Sequence, residues 1–210
     1  MLYDRDIREP LFAFLEETFG KVRILEEKRT GRARADVVMI TPQAVCGVEI
    51  KSDADSYARL AGQVRNYDQY YDLNYVVIGT SHAQHIEEHV PRWWGIITVE
   101  EIEGGTDFYI ARRADINPEM DPEKKMSILW RRELVHLQEI NGLPRYREKS
   151  KKFVAQALLE RVDAEVLGQQ ICEELFERDY TTIEEDIAAY REEHERRRRK
   201  VRKTKKKHGQ

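Results

Sequence analysis

The stretch that decides the fold runs from Arg34 to Tyr67 and reads RADVVMITPQAVCGVEIKSDADSYARLAGQVRNY. It contains two β-type runs, Ala35–Thr41 and Ala44–Lys51, separated by Pro42-Gln43 and followed by a helix-like segment. A two-residue turn between such runs predicts an antiparallel hairpin in which the numbers of opposed residues sum to 85. This register decides which side chains meet across the two strands.

In this register Asp36 lies opposite Glu49, and opposed residues project from the same face with Cβ atoms about 5 Å apart. Lys51 lies two residues beyond Glu49 and points to that same face. Two adjacent carboxylates repel each other unless a cation lies between them, and Mg²⁺ or Mn²⁺ suits such oxygen ligands. A lysine that holds the attacking water as an ammonium, or deprotonates it as a neutral amine, would complete a site for phosphodiester cleavage. By itself, however, the D…E-x-K pattern also describes a solvated strand face in a chain with 36% charged residues.

The same stretch resembles a known nuclease superfamily. Asp36, Glu49-Ile50-Lys51 and Gln63-Val64-Arg65-Asn66-Tyr67 resemble the PD-(D/E)XK pattern with the Q-x-x-x-Y helix motif of its RecB-like branch. The strings R-A-D, E-I-K-S-D-x-D, R-L-x-x-Q and W-W-G are similar to those of a largely uncharacterised bacterial and phage family assigned to that superfamily. The resemblance covers about residues 4–112, and Ala35 stands where the superfamily name has proline.

The resemblance implies a role for each matching residue. Asp36 and Glu49 are expected to bind Mg²⁺ or Mn²⁺, and the Ile50 carbonyl is expected to add a ligand. Lys51 matches the catalytic lysine that positions or activates the water. Gln63 is expected to orient the substrate or the water.

Further residues are expected around this site. Tyr67 shares the helix motif and is expected beside the nucleic acid, whereas Glu9 matches less closely a metal-binding glutamate of the first helix. Arg32 and Arg34 belong to a cationic stretch, Lys28–Arg34, which we interpret as a loop that grips phosphates with little sequence preference. A surface glutamate and a solvated turn are the alternatives.

The expected fold is α/β, with a restriction-endonuclease-like core of order αβββαβ in residues 1–116. A helical stripe at Tyr3–Phe19 and a buried apolar run at Tyr75–Gly79 indicate the first helix and a central parallel strand. Helices are expected at Ser56–Asp72 and across Ser81–Val90.

Beyond the prolines of Asn117–Pro122 the β-type runs stop, and residues 123–195 form a predicted helical extension. Residues 128–162 resemble a SAP-like DNA-binding helix pair, with Lys151 and Lys152 as expected DNA contacts. A helical buttress on the core would show the same spacing. The basic run at 196–210 is expected to be a disordered tail that binds nucleic acid or is merely solvated.

The composition limits the class of protein. The net charge of −3 hides an asymmetry, because residues 191–210 hold 11 Lys/Arg and 3 Glu, a net +8 that leaves −11 for the rest. The two cysteines match no metal-type spacing and favour a reducing compartment. Without a membrane-length apolar run or a signal peptide, the expectation is a cytoplasmic protein.

The function expected from these patterns is Mg²⁺-dependent hydrolysis of DNA, by a homodimer or in a complex with other nucleic-acid-processing proteins. Two alternatives stay open. One is a non-catalytic nucleic-acid-binding or regulatory module on the same fold. The other is an interaction subunit that docks through its acidic helices. Residue types leave open the preferred DNA, the choice between endonuclease and exonuclease, and the pathway, which could be repair, recombination, host defence or phage biology.

Overall fold

A six-stranded mixed sheet with helices on both faces makes up the described part of the chain. The structure is a computed structural model, and it describes residues 2–30, 33–53, 55–79 and 83–178. The chain divides into two compact units, Met1–Phe176 and Glu177–Gln210. Almost all of the second unit, including the predicted tail at 196–210, lies outside the described residues.

The strands lie side by side in chain order. Their bounds are β1 (Arg23–Thr30), β2 (Ala33–Ile40), β3 (Val45–Lys51), β4 (Leu73–Gly79), β5 (Gly95–Ile102) and β6 (Gly105–Arg112). Strands β1, β2 and β3 form an antiparallel meander, β3, β4 and β5 are parallel, and β6 is antiparallel to β5. The buried parallel strand expected at Tyr75–Gly79 is therefore confirmed as part of β4.

Helices precede, connect and follow these strands. They are α1 (Asp4–Phe19), α2 (Leu60–Tyr67), α3 (Pro122–Ser127), α4 (Arg131–Ile140), α5 (Lys151–Arg161) and α6 (Ala164–Glu177), with 3₁₀ turns at Tyr57–Arg59 and Ala83–Glu88. The α/β class, the αβββαβ order of the core and the helical C-terminal region are as expected from the sequence. None of the described helices is long and apolar enough to cross a membrane.

Alternation along the strands separates two apolar clusters on the two faces of the sheet. On one face α1 buries Ile7, Leu11 and Leu15 against residues of β2 and β3 such as Val37 and Val48. On the other face α2 and the helices from α3 onward join a second cluster with the sheet. The helices after residue 122 are thus packed on the same sheet that carries the predicted site.

Three local predictions were wrong. Lys28–Arg34 is not a loop, since β1 continues to Thr30 and β2 begins at Ala33. The helix expected at Ser56–Asp72 is a 3₁₀ turn followed by α2, which ends at Tyr67, and Ser81–Val90 contains a 3₁₀ turn instead of an α-helix. Each predicted boundary had rested on local patterns, which tertiary contacts override.

The acidic residues after Lys51 do not cap the turn that follows them, which has no side-chain cap. Asp53 instead accepts a hydrogen bond from the Leu2 amide at 2.9 Å. Asp55 accepts bonds from the amide and hydroxyl of Ser52 at 3.0 and 2.7 Å. These carboxylates therefore hold the chain as it leaves β3.

The W-W-G string has a structural explanation. Asp68 Oδ1 accepts hydrogen bonds from the indole Nε1 of Trp94 at 2.7 Å and of Trp93 at 3.2 Å, and from Asn74 Nδ2 at 3.1 Å. Trp94 is fully buried in the larger cluster, and a Cβ at Gly95 would lie 2.2 Å from the Tyr75 ring. Both tryptophans therefore pack at the sheet and share one carboxylate acceptor.

We predict that Asp68→Ala lowers the free energy of unfolding by about 2–4 kcal/mol, because two indole N–H groups and an amide lose their acceptor. Asp68→Asn keeps an oxygen at the same place, so it should cost about 1 kcal/mol. Urea denaturation of both variants measures the difference. Equal losses for the two variants would show that the acceptor is not what stabilises this corner.

Candidate active site

Asp36 lies where β2 and β3 separate. Pairs run from Ile40–Val45 to Val37–Val48, so the register that sums to 85 is confirmed along the hairpin. The ladder stops one pair short of Asp36 and Glu49. Asp36 Oδ2 instead accepts a hydrogen bond from the Ile50 amide at 3.0 Å, which places this carboxylate against the β3 backbone.

Glu49, Lys51 and Gln63 form one hydrogen-bonded group. The Lys51 ammonium lies 2.7 Å from Glu49 Oε1 and 2.9 Å from Gln63 Oε1. The Gln63 amide also donates to Glu49 Oε1. Glu49 is fully buried and Lys51 is 5% exposed, and both project from the same face of β3. The strand and α2 thus bring together three of the residues singled out in the sequence.

Tyr67 connects the carboxylate of Glu49 to the backbone of Asp36. Its hydroxyl donates to Glu49 Oε2 at 2.8 Å and accepts from the Asp36 amide at 3.1 Å. Gly47 permits this approach, because a Cβ there would lie 2.5 Å from Tyr67 Cδ1 and 2.4 Å from Tyr71 Cδ2. Tyr67 is 1% exposed, so its place is beneath the site, instead of beside a bound nucleic acid as expected from the sequence.

Burial changes the protonation of this group. It raises the pKa of Glu49 to about 7, with the negative charge of Asp36 acting in the same direction and Lys51 opposing it. Burial also raises the pKa of Asp36, although the Ile50 amide and the guanidinium of Arg8 lower it. The pKa of Tyr67 is raised well above its ordinary value, by burial and then by the two carboxylates. A nearby positive charge would therefore stabilise the ionised form of both carboxylates.

Asp36 and Glu49 are oxygen donors of the kind that a hard divalent ion binds. Within the part of the chain that the structure describes, no group of three or more His, Cys, Asp or Glu side chains could hold a metal. A protein nevertheless usually supplies only one or two carboxylates to Mg²⁺, because Mg²⁺ keeps several waters and binds substrate phosphates. Asp36 and Glu49 would be the ligands, with the Ile50 carbonyl as the further ligand predicted from the sequence.

Arg8 is a neighbour of Asp36 that the sequence did not reveal. Its Nη1 donates to the Asp36 carbonyl at 3.2 Å, and its Nη2 lies 3.9 Å from Asp36 Oδ1. Glu9, the residue singled out as a metal ligand, is exposed on the same helix. Only the spacing of Asp4 and Arg8, an i, i+4 pair, marks Arg8 in the sequence, and such pairs are common on helices.

Of the other residues predicted to contact nucleic acid, Arg34 belongs to β2, and Lys151 and Lys152 belong to α5. Arg32 is outside the described residues, and Arg34 is opposite Arg29 in the β1–β2 ladder. Lys151 donates to the Ser127 carbonyl at 2.7 Å, and Lys152 lies 3.7 Å from a Glu123 carboxylate oxygen. Both lysines begin α5 and contact α3. Their role in binding DNA stays a prediction.

The raised pKa of Glu49 predicts a pH dependence for the metal-free protein. Its ordinary pKa is 4.5, so between about pH 4.5 and 7 the folded protein holds a proton that the unfolded chain releases. The free energy of unfolding should therefore fall as pH rises through this window, by at most about 3 kcal/mol. Urea denaturation at pH 5 and pH 8, with chelator present, measures the fall. Glu49→Gln should remove it, and an unchanged pH profile in that variant would contradict the assignment.

Comparisons with known proteins identify the family of this chain. A family model described as bacteriophage P4 protein cII matches residues 6–204, almost the whole sequence. No curated protein matches the sequence. Among solved structures, SfsA of Pyrococcus furiosus in complex with Ca²⁺ is similar at 16% identity and a TM-score of 0.28. That alignment covers 54% of this chain and 62% of the SfsA chain, so this chain spans less than two thirds of SfsA. The phage part of the resemblance seen in the sequence is confirmed, and the chain belongs to the bacteriophage P4 protein cII family.

Proposed function

We propose that this protein is a metal-dependent nuclease of the PD-(D/E)XK type that hydrolyses phosphodiester bonds of DNA. The observation that carries the proposal is the buried cluster in which Lys51 and Gln63 share one oxygen of Glu49, with Asp36 beside it. A buried carboxylate with a raised pKa next to a lysine is typical of acid–base sites. Hydrolysis adds water across one P–O ester bond and leaves a phosphate monoester and an alcohol.

Each side chain has a defined part in this reaction. Asp36 and Glu49 would hold Mg²⁺ or Mn²⁺, and a bound ion of this kind neutralises charge on the phosphate and makes the nucleophile available at neutral pH. Lys51 would hold the attacking water through its ammonium group or, as a neutral amine, take its proton as it approaches phosphorus. Gln63 would orient that water through its amide, and Tyr67 would hold the Glu49 carboxylate and the Asp36 backbone in place from below.

The distribution of charge supports a polyanionic substrate. Residues 191–210 carry a net +8, and the stretch Lys28–Arg34 contains four cations and no acid. Basic residues of this kind bind the phosphate backbone with little sequence preference and strong salt dependence. Lys151 and Lys152 would add to such contacts at the start of α5.

We expect Asp36→Ala and Lys51→Ala to lower Mg²⁺-dependent DNA cleavage at least about 100-fold, because a metal ligand or the acid–base group is lost. Linear, circular and single-stranded DNA should be incubated with Mg²⁺ or Mn²⁺ and the products resolved on gels. These substrates also separate cutting from an end and internal cutting.

Asp107→Ala provides the matched control, because Asp107 is an exposed aspartate on β6. This variant should cleave at the wild-type rate. Melting temperatures of all variants exclude loss of fold as the cause. Cleavage that survives both Asp36→Ala and Lys51→Ala would refute the site, and tight DNA binding without cleavage by the wild type would favour a non-catalytic module.

A further inference from the structure

Arg8 links the first helix to the first two strands of the meander, β1 and β2. Besides its contacts with Asp36, its Nε donates to Asp4 Oδ2 at 2.9 Å and its Nη1 lies 4.0 Å from Glu26 Oε2. The side chain is 15% exposed. One guanidinium therefore meets carboxylates from α1, β1 and β2.

The contacts with Arg8 add to other polar contacts of Asp36. Its amide donates to the Tyr67 hydroxyl, and its Oδ2 accepts from the Ile50 amide. Its carbonyl accepts from Arg8, whose other terminal nitrogen lies near Oδ1. The amide, the carbonyl and Oδ2 of Asp36 are thus hydrogen-bonded, and Arg8 provides the bond to the carbonyl and a longer ionic contact to Oδ1.

The geometry of Arg8 matters here more than its charge. Asp4 and Glu26 offset the positive charge of the guanidinium, which weakens its repulsion of a cation at Asp36. A guanidinium also presents several donors in one rigid plane, whereas the ammonium of a lysine is a point charge on a flexible stem. The planar group holds Asp4 through Nε and the Asp36 carbonyl through Nη1 in one fixed arrangement.

We propose that Arg8 is a positioning residue that holds Asp36 in the orientation required by Mg²⁺ and so favours Mg²⁺ over Ca²⁺. This inference rests on the proposed function. Mg²⁺ demands a near-octahedral arrangement at about 2.0–2.1 Å, whereas Ca²⁺ accepts more ligands in variable geometry. A carboxylate that is free to turn still satisfies Ca²⁺ but loses the geometry for Mg²⁺. Residues that hold metal ligands in place account for about 10–100-fold in affinity or activity.

The test is Arg8→Lys in the full chain, which keeps the charge and removes the planar donors. Isothermal titration calorimetry with Mg²⁺ alone and with Ca²⁺ alone gives the two dissociation constants without any cleavage. We expect Mg²⁺ to bind about 10-fold more weakly than to the wild type, with Ca²⁺ affinity nearly unchanged. DNA cleavage in limiting Mg²⁺ should fall and should recover in part when Mg²⁺ is raised.

Arg5→Lys is the matched control, because Arg5 lies on the same helix with its side chain 82% exposed, and its contacts are with Asp6 and Tyr3. It should leave both dissociation constants unchanged. Suppose that the wild type binds Mg²⁺ and cleaves DNA, but Arg8→Lys weakens the binding of both ions equally or of neither. Arg8 then only stabilises the fold, and the inference is overturned. A variant that melts earlier with an unchanged Mg²⁺-to-Ca²⁺ ratio has the same meaning. If the wild type binds neither ion, the proposed metal site itself is wrong, and the inference about Arg8 is wrong with it.

Discussion

The structure around the candidate site depends on the buried carboxylate of Glu49 and the hydrogen bonds that it receives. A carboxylate removed from water costs several kcal/mol unless its oxygens are bonded, and Lys51, Gln63 and Tyr67 supply those bonds here. Well-packed apolar residues of similar volume would be as stable as such a buried ion pair, or more stable. The pair is therefore better explained by chemistry at this place than by its contribution to the fold.

Two features of β3 accommodate this cluster: it carries Gly47, and it pairs in parallel with β4. Strand β3 is buried on both faces, because β4 pairs with it in parallel and helices cover both sides. Gly47 lets the ring of Tyr67 lie directly on β3, so its hydroxyl reaches the next residue on that face, Glu49. A side chain at position 47 would push the helix away and break the link between α2 and the carboxylates.

The sequence predicted the hairpin and its register because short-range rules govern both. The Pro-Gln turn and the period-2 alternation were sufficient to place Asp36 near Glu49. Other features depend on contacts between distant segments, and no local pattern marks them. Arg8 reaches Asp36 across 28 residues, and the role of Tyr67 became evident only from its burial beneath both carboxylates. The cationic stretch was interpreted as a loop because its composition resembles one, although β1 and β2 continue to pair through most of it.

The two carboxylates differ in their exposure to solvent. This difference favours one side for the approach of the proposed substrate. The Glu49 side chain is 1% exposed and lies inward, whereas the Asp36 side chain is 20% exposed at the edge of the separating strands. Pairing of β1 with β2 continues to Thr30–Ala33, beyond the last β2–β3 pair at Val37–Val48. A two-stranded ribbon whose sequence is basic therefore continues past Asp36. In the reaction proposed above, a DNA phosphate would meet the more exposed Asp36 before Glu49, and Lys51 would act from its buried position, where electrostatic interactions are stronger.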